Sequence, residues 1–440
     1  MLVKLPEKVS KIMTRLYEAG FEAYAVGGCV RDSILGKKPY DWDITTNAKI
    51  DELKKIFPEA KVLSKKFSVI RLEYVDEIED SAGNVIGETG IIADIATYRK
   101  EERYEEGRLV EFAFADSVEE DLPRRDFTIN AIADSHNKFI DMFEGREDIR
   151  KKLIRTVGDA DKRFCEDPVR MLRAVRMAAE LDFDLDISVY NSIISNRGLL
   201  ENVATGKIRD EFTKLITAVH ACKGLKMFFD MGLLFVILGK DTADNLSKRE
   251  RRDLMELSQN IDASKQIEER RLGLFFSCIN KKKAIAAIER LEFDCFIEQL
   301  LKDAVTDLPR LYFTSTKPAL KKFIYERGWD RYHYLANLEK AQRIVFGYDS
   351  ETKIKSKMYL LQEIKDKREV IFPEDLAIDA NDLVEAGICD EDRANRLLAM
   401  VTEELHTHPY KNNRQELLKL AKTYNKNKLA AAFRGVHWKK

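Results

Sequence analysis

The chain has 440 residues, 45% hydrophobic and 34% charged, with a formal net charge of −1 and a pI near 6.7. That length predicts several packed units. The near balance of charge excludes a protein that coats nucleic acid through overall basicity, so any RNA or DNA contact must come from local patches. No stretch approaches the roughly 18 consecutive apolar residues of a membrane span. The opening MLVKLPEKVSKIMTRL lacks an apolar signal core. Cys29, Cys165, Cys222, Cys278, Cys295 and Cys389 are scattered, with no Cys-x-x-Cys pair. They predict reduced thiols and a cytoplasmic location, against a disulfide framework or a zinc knuckle.

Glu22 to Val26 reads as a short strand broken by Gly27 and Gly28. Val30 to Leu35 reads as the start of a helix, with Arg31 in its first turn and Gly36 and Pro39 ending it. Asp41-Trp42-Asp43 then leads into the β-branched run Ile44, Thr45, Thr46. Residues two apart in a strand share a face, so Asp41 and Asp43 aim two carboxylates at one point. The glycine pair lets backbone N–H groups approach an anion closely. A phosphate cradle beside paired carboxylates suits metal-assisted phosphoryl or nucleotidyl transfer. Taken alone, Asp-x-Asp fits an acidic surface strand as well; the strand, turn, helix, strand order favours the chemistry.

Val69 to Tyr74, Ile91 to Tyr98 and Val110 to Phe114 read as further strands. Val75 to Thr89, with Gly83-Asn84, reads as an extended hairpin with a polar tip. Asp94 interrupts an apolar strand. It fits either a third metal-site carboxylate or a solvent-facing position on an edge strand. In the segment Asp121 to Ala131, Pro123 fits a helix beginning, and Arg124, Arg125 and Asp126 crowd its first turn. Two arginines there suit a polyphosphate, or an ordinary salt-bridged helix start.

From about residue 147 the periodicity becomes helical and stays so, with soft breaks near 145, 210, 325 and 370. In Glu166-Asp167-Pro168-Val169-Arg170 the proline opens a helix with an acidic residue ahead of it as cap. Asp167, Arg170 and Arg173 form a cluster at three-residue steps. Arg176 has drifted about half a turn from Asp167. The last thirty residues, from Lys411, carry nine Lys or Arg against the single acid Glu416, with Tyr424, Phe433, His437 and Trp438 interleaved. They fit a solvated tail or an RNA-holding segment.

Together these segments resemble the class II tRNA nucleotidyltransferase and bacterial poly(A) polymerase family. GGCVRD with DWD resembles its GGxVRD…DxD motif, DLPRRDFTINA its RRD motif and EDPVRMLRAVR its EDxxR motif. YRKEERYEEGR (98–108), with Arg99, Tyr104 and Arg108, resembles the family's flexible loop, and DLVEAGICDEDRANRLLAMVTEELHTHPYKNN its tail. Two places depart. Thr205-Gly206-Lys207-Ile208-Arg209 stands where Glu-Arg-Ile is frequent, and Lys65 to Ser68 lacks the usual glycine.

The resemblance implies an α+β protein. A polymerase-β-like nucleotidyltransferase head (1–145) would precede an all-helical neck for base recognition (146–210), a body (211–325) and a tRNA-binding tail (326–440). It implies catalytic carboxylates Asp41, Asp43 and Asp94, with Asp41 and Asp43 binding Mg2+. Gly27, Gly28 and Arg31 would lie at the triphosphate with Arg124 and Arg125 nearby. Asp167, Arg170, Arg173 and, more weakly, Arg176 would read the base. A carboxylate accepting from an exocyclic amine and an arginine donating to a ring nitrogen would select C and A over G and U. The implied activity is template-independent addition of CCA to tRNA 3′ ends from CTP and ATP, with no membrane or obligate protein partner. Partial A- or CC-adding, poly(A) synthesis and a non-catalytic RNA-binding relative are the alternatives.

Overall fold

In the computed structural model, residues 4–79, 85–105, 108–135, 137–347, 351–408 and 410–433 are described. The chain divides into two compact units, Met1–Asn245 with Arg290–Glu292, and Leu246–Glu289 with Phe293–Lys440. The expected breaks near 210 and 325 fall inside the helices Thr205–Thr217 and Lys317–Arg327.

The first unit is built on a seven-stranded mixed sheet. Its strands are β1 (Ala23–Val26), β2 (Asp41–Thr46), β3 (Lys61–Ser64), β4 (Val69–Glu79), β5 (Val85–Thr97), β8 (Ala133–Asp134) and β9 (Phe139–Ile140), while β6 (Arg99–Glu105) and β7 (Arg108–Phe114) pair separately. The order is β3-β4-β5-β2-β1-β8-β9, antiparallel except where β2 runs parallel to β5. The period-two pattern of β2 decides its role. Trp42 and Ile44 are buried, while Asp41 and Asp43 stand on the opposite, open face. The long β4–β5 pairing from Val69↔Ala96 to Glu79↔Val85 is the expected extended hairpin; its Gly83-Asn84 tip lies outside the described residues.

Two local expectations are corrected. The segment likened to a flexible loop is an antiparallel hairpin, β6 on β7, anchored where Phe112 meets Phe67 with ring centroids 5.1 Å apart. Pro123 starts no full helix. Leu122–Arg124 and Thr128–Asn130 are single 3₁₀ turns with extended Arg125 between, because Asp121 takes both arginines and holds the chain in a tight bend.

Beyond the sheet the unit is mostly helical; the expectation of an all-helical neck is corrected by a short parallel pair, Leu153–Ile154 with Asp184–Leu185, that ties the segment before the helix Val169–Leu181 to the one after it. Val169–Leu181 starts after Pro168, where the Asp167 carboxylate accepts the Val169 N–H at 3.2 Å, as the cap reading predicts. It buries Met171, Leu172, Val175 and Met177 and exchanges ion pairs with Thr205–Thr217 through Glu211. Among its described residues the second unit has helices and no strand. Helices Glu268–Ser277, Cys295–Thr306 and Trp329–Phe346 bury Leu272, Leu301 and Leu335, and a separate cluster around Leu383, Val401 and Leu417 closes its C-terminal part. Among the described residues no helix is long and apolar enough to cross a membrane.

Candidate active site

A cavity of about 680 Å³ opens over β2 and the helix Val169–Leu181. Gly27, Gly28, Asp43, Arg124, Arg125, Asp167, Arg170 and Arg173 all line it. Three motifs, from Gly27 to Arg173 in the chain, therefore converge on one space.

Gly27 has φ of 80°, and a Cβ there would lie 3.3 Å from an Arg125 nitrogen and 3.4 Å from Asp43 Oδ2. The conformation favours glycine, and a Cβ there would press on the two charged side chains. The helix Gly28–Ile34 begins immediately after it. Asp43 opens to the cavity but is walled by protein. Burial pushes its carboxyl above the ordinary value; Arg125 opposes this, and the neighbouring Asp41 and Asp94 carboxylates add to it. Such a crowd of negative charge is eased by a cation. Among the described residues no group of three or more His, Cys, Asp or Glu forms a metal cage. Two carboxylates completed by substrate phosphates are a normal Mg²⁺-type environment; Asp43 lines the cavity, and Asp41, outside its lining, stands on the same face of β2.

Asp94 lies opposite Asp43 in the β2–β5 register, and β5 sits between β4 and β2, so the edge-strand alternative is excluded. Both Asp94 oxygens are held by Arg71, at 2.7 and 2.8 Å. Arg31 sits beneath the glycine turn instead of lining the cavity, bonded to Asp32 at 2.9 Å and Asn130 at 2.7 Å. Arg176 also stands off the cavity, held by Glu180 and Glu211 at 2.6 Å each, in line with its half-turn drift.

The remaining cations are tethered. Asp121 holds Arg124 at 2.8 Å and Arg125 at 3.1 Å. Burial alone would raise its carboxyl, but the two arginines and the Arg99 N–H outweigh it and leave the group below its ordinary value. Glu166 holds Arg170 at 3.1 Å. Glu101 on β6 accepts the Tyr104 hydroxyl and stands 3.8 Å from Arg170 and 3.9 Å from Arg124, so the hairpin is tied into both arginine motifs.

Arg99 and Tyr104 of the loop-like segment line the cavity too, and Phe67, Glu101, Asn130, Lys207, Asp210 and Lys214, which were not singled out from sequence, join them. The Thr205 to Arg209 stretch departs from the family pattern, which hid Lys207. The i, i+7 step to Lys214 on an otherwise amphipathic helix was the available signal.

Residues 23–155 match the poly A polymerase head domain, and residues 182–245 match the probable RNA and SrmB-binding site of polymerase A. The head-domain match takes in the glycine turn, both β2 carboxylates and the Arg124-Arg125 pair. Among curated proteins, the CCA-adding enzyme of Lactobacillus helveticus is 35% identical over 270 residues, 60% of this chain and 62% of that one. The CCA-adding enzyme of Geobacillus thermodenitrificans is 41% identical over 224 residues, 50% of this chain and 52% of that one. The chain thus spans less than two thirds of these curated relatives. The Bacillus stearothermophilus CCA-adding enzyme in complex with CTP shares the fold, with a TM-score of 0.72 at 24% identity over 96% of this chain and 97% of that one. A tRNA nucleotidyltransferase complexed with a primer tRNA and an incoming ATP analog is 26% identical with a TM-score of 0.56, covering 81% of this chain and 99% of that one. Nucleotidyltransferases of this family generally use a divalent metal.

Proposed function

We propose that this chain adds CCA to the 3′ end of tRNA, without a nucleic-acid template, using CTP and ATP and releasing pyrophosphate. The observation that carries this reading is the meeting of Asp43, the Gly27-Gly28 turn and the Asp167/Arg170 pair in one cavity. The curated relatives that bear the name CCA-adding enzyme support it.

Asp41 and Asp43 would hold Mg2+, which when bound supplies positive charge at the reacting phosphate and lowers the cost of ionising the primer hydroxyl. Asp94, the third carboxylate of the set, would add its charge beside Asp43 while Arg71 fixes its position. The glycine turn and Arg125 would orient the triphosphate, with Arg124 and Arg31 behind them. Asp167 uses Oδ1 as a helix cap, which leaves Oδ2 for the exocyclic amine of C or A. Arg170, and Arg173 held by Asp126, would donate to the ring-nitrogen edge. Guanine and uracil present a carbonyl where that amine belongs, leaving buried groups unpaired at about 1–3 kcal/mol each. The parts 1–145, 146–210, 211–325 and 326–440 would act as catalytic head, base-reading neck, body and tRNA-holding tail in the cytoplasm. The basic run from Lys411 would contribute to that tail; its residues 434–440 lie outside the described ones.

The test supplies tRNA ending at the discriminator base, in C, or in CC, each with CTP, ATP or both, and sequences the products. Completion of CCA on all three followed by a stop is expected. Extension of only the CC-ended substrate makes the chain an A-adder, and a stop at CC makes it a CC-adder. Long A tracts on unrelated RNA make it a poly(A) polymerase. No incorporation by a folded, RNA-binding protein makes it a non-catalytic relative.

A further inference from the structure

Every arginine lining the cavity already has a carboxylate. Arg99 is held by Glu101 at 3.3 Å, Arg124 and Arg125 by Asp121 at 2.8 and 3.1 Å, Arg170 by Glu166 at 3.1 Å and Arg173 by Asp126 at 2.6 Å. Lys207 and Lys214 differ. Both are exposed, both line the cavity, and among the described residues neither has an acidic partner. The acids between them are committed elsewhere, Asp210 to Arg209 at 2.9 Å and Glu211 to Arg176 at 2.6 Å. The helix Thr205–Thr217 buries Ile208, Phe212, Leu215 and Ile216 and presents 207, 210, 211 and 214 together on the cavity side. A single helix face thus carries two ammonium groups, seven residues apart, open to an incoming anion.

The transfer reaction brings two anions to this space. The triphosphate must lie where its α-phosphate meets Asp43, beside the Gly27-Gly28 turn and Arg125. The other anion is the backbone of the RNA, whose last base must lie against the incoming one, beside the base-reading helix. Thr205–Thr217 packs on that helix, with Glu211 reaching both Arg173 and Arg176. An ammonium is a compact point charge with rotatable donors, suited to a phosphodiester that carries no sequence information.

We propose that Lys207 and Lys214 hold the phosphodiester backbone at the 3′ end of the RNA and so position its terminal hydroxyl in the cavity. This rests on the nucleotidyl-transfer reading.

The test uses the full chain as Lys207→Ala, Lys214→Ala, the double alanine variant and the double arginine variant. Binding of tRNA lacking CCA is measured against salt, and KM is measured separately for that RNA and for CTP. Each alanine is expected to flatten the log–log salt slope of RNA binding by about one. KM for RNA should rise several-fold while KM for CTP and the product sequence stay unchanged, and arginine should restore the slope. An unchanged salt slope overturns the proposal, as does a rise in KM for CTP alone, which would give the lysines to the triphosphate. The slope is read without turnover. A wild-type chain that adds no nucleotide therefore overturns the transfer reading, while the slope still decides the role of the lysines. Both side chains are exposed, so the variants should melt like the wild type.

Discussion

Arg173 directs two N–H groups at one oxygen of Asp126, at 2.6 and 3.0 Å, while Asn130 donates to the other oxygen at 3.1 Å. The carbonyl of Asn130 in turn accepts from Arg31 at 2.7 Å. A continuous chain of hydrogen bonds therefore links the glycine-turn motif to the arginine helix. Burial would raise the Asp126 carboxyl, but Arg173, Asn130 and the Phe127 N–H hold it below its usual value.

Asp126→Asn should cost about 1–3 kcal/mol in urea unfolding, discounted because Arg173 is partly open to water. It should also loosen base choice, because Arg173 loses the anchor that fixes its fork. Unfolding unchanged to within about 0.5 kcal/mol would show the pair to be energetically idle.

Asp43→Asn should separate stability from activity. Asp43 sits among Asp41 and Asp94 in a walled cavity that disfavours its charge. Removing that charge should leave the melting temperature equal or higher, while nucleotide incorporation falls by at least about 10²-fold. A clear loss of stability would mean that Asp43 is held by favourable contacts and is no strained ligand.

Asp167→Ala should admit UTP and GTP. In the proposed reading this carboxylate accepts from the amine, so discrimination should drop roughly 10–100-fold while triphosphate affinity changes little. Equal selectivity in the variant would move base choice to other residues. The helix cap is lost too, at about 1 kcal/mol, so the comparison needs a melting curve beside the kinetics.

Glu250 predicts a pH dependence in the second unit. It accepts from Lys283 at 2.8 Å, from the Asn280 N–H at 2.9 Å and from the Ser247 N–H at 2.7 Å. Burial opposes its charge, but these donors outweigh burial and lower the carboxyl from 4.5 to about 2. A depressed carboxylate stabilises the fold fully above its unfolded value and loses that contribution as pH falls toward the folded one. Glu250→Gln should therefore destabilise at pH 7 by about 2 kcal/mol, with the difference shrinking between pH 4.5 and about 2. A gap that stays constant across that window in thermal melts would contradict the assignment.

Ser68 turns with φ of 49°, where the family's usual glycine is missing. A side chain in that region is strained by about 1–2 kcal/mol, partly offset by the extra freedom glycine has when unfolded. Ser68→Gly should raise stability by about 0.5–1 kcal/mol. A lower melting temperature would mean that the serine side chain contributes more than the strain costs.

Much of the head was legible because its signals are local. The i, i+2 step of Asp41 and Asp43, the glycine break and the Pro168 helix start each depend on neighbours in the chain. What escaped depends on partners far away. Nothing near Arg170 announces Glu101, and nothing near Arg31 announces that Asn130 draws it under the glycine turn. The tight bend at Pro123 follows from Asp121 capturing two arginines, a choice that periodicity does not encode. Lys207 was hidden in a stretch that departs from the family pattern, and only the cavity shows what it faces.

The arginine helix carries three cations, each fastened by an acid from a different segment: Arg170 by Glu166, Arg173 by Asp126 and Arg176 by Glu211. Enclosed ion pairs are screened far less by salt than open charges facing bulk water. On the proposed reading, raising ionic strength should therefore dismantle RNA holding and nucleotide choice at different points. The grip of exposed lysines on a polymer fades first, and the choice of nucleotide outlasts it. An enzyme nearly released from its RNA at high salt should then slow down without becoming careless about which letter it writes.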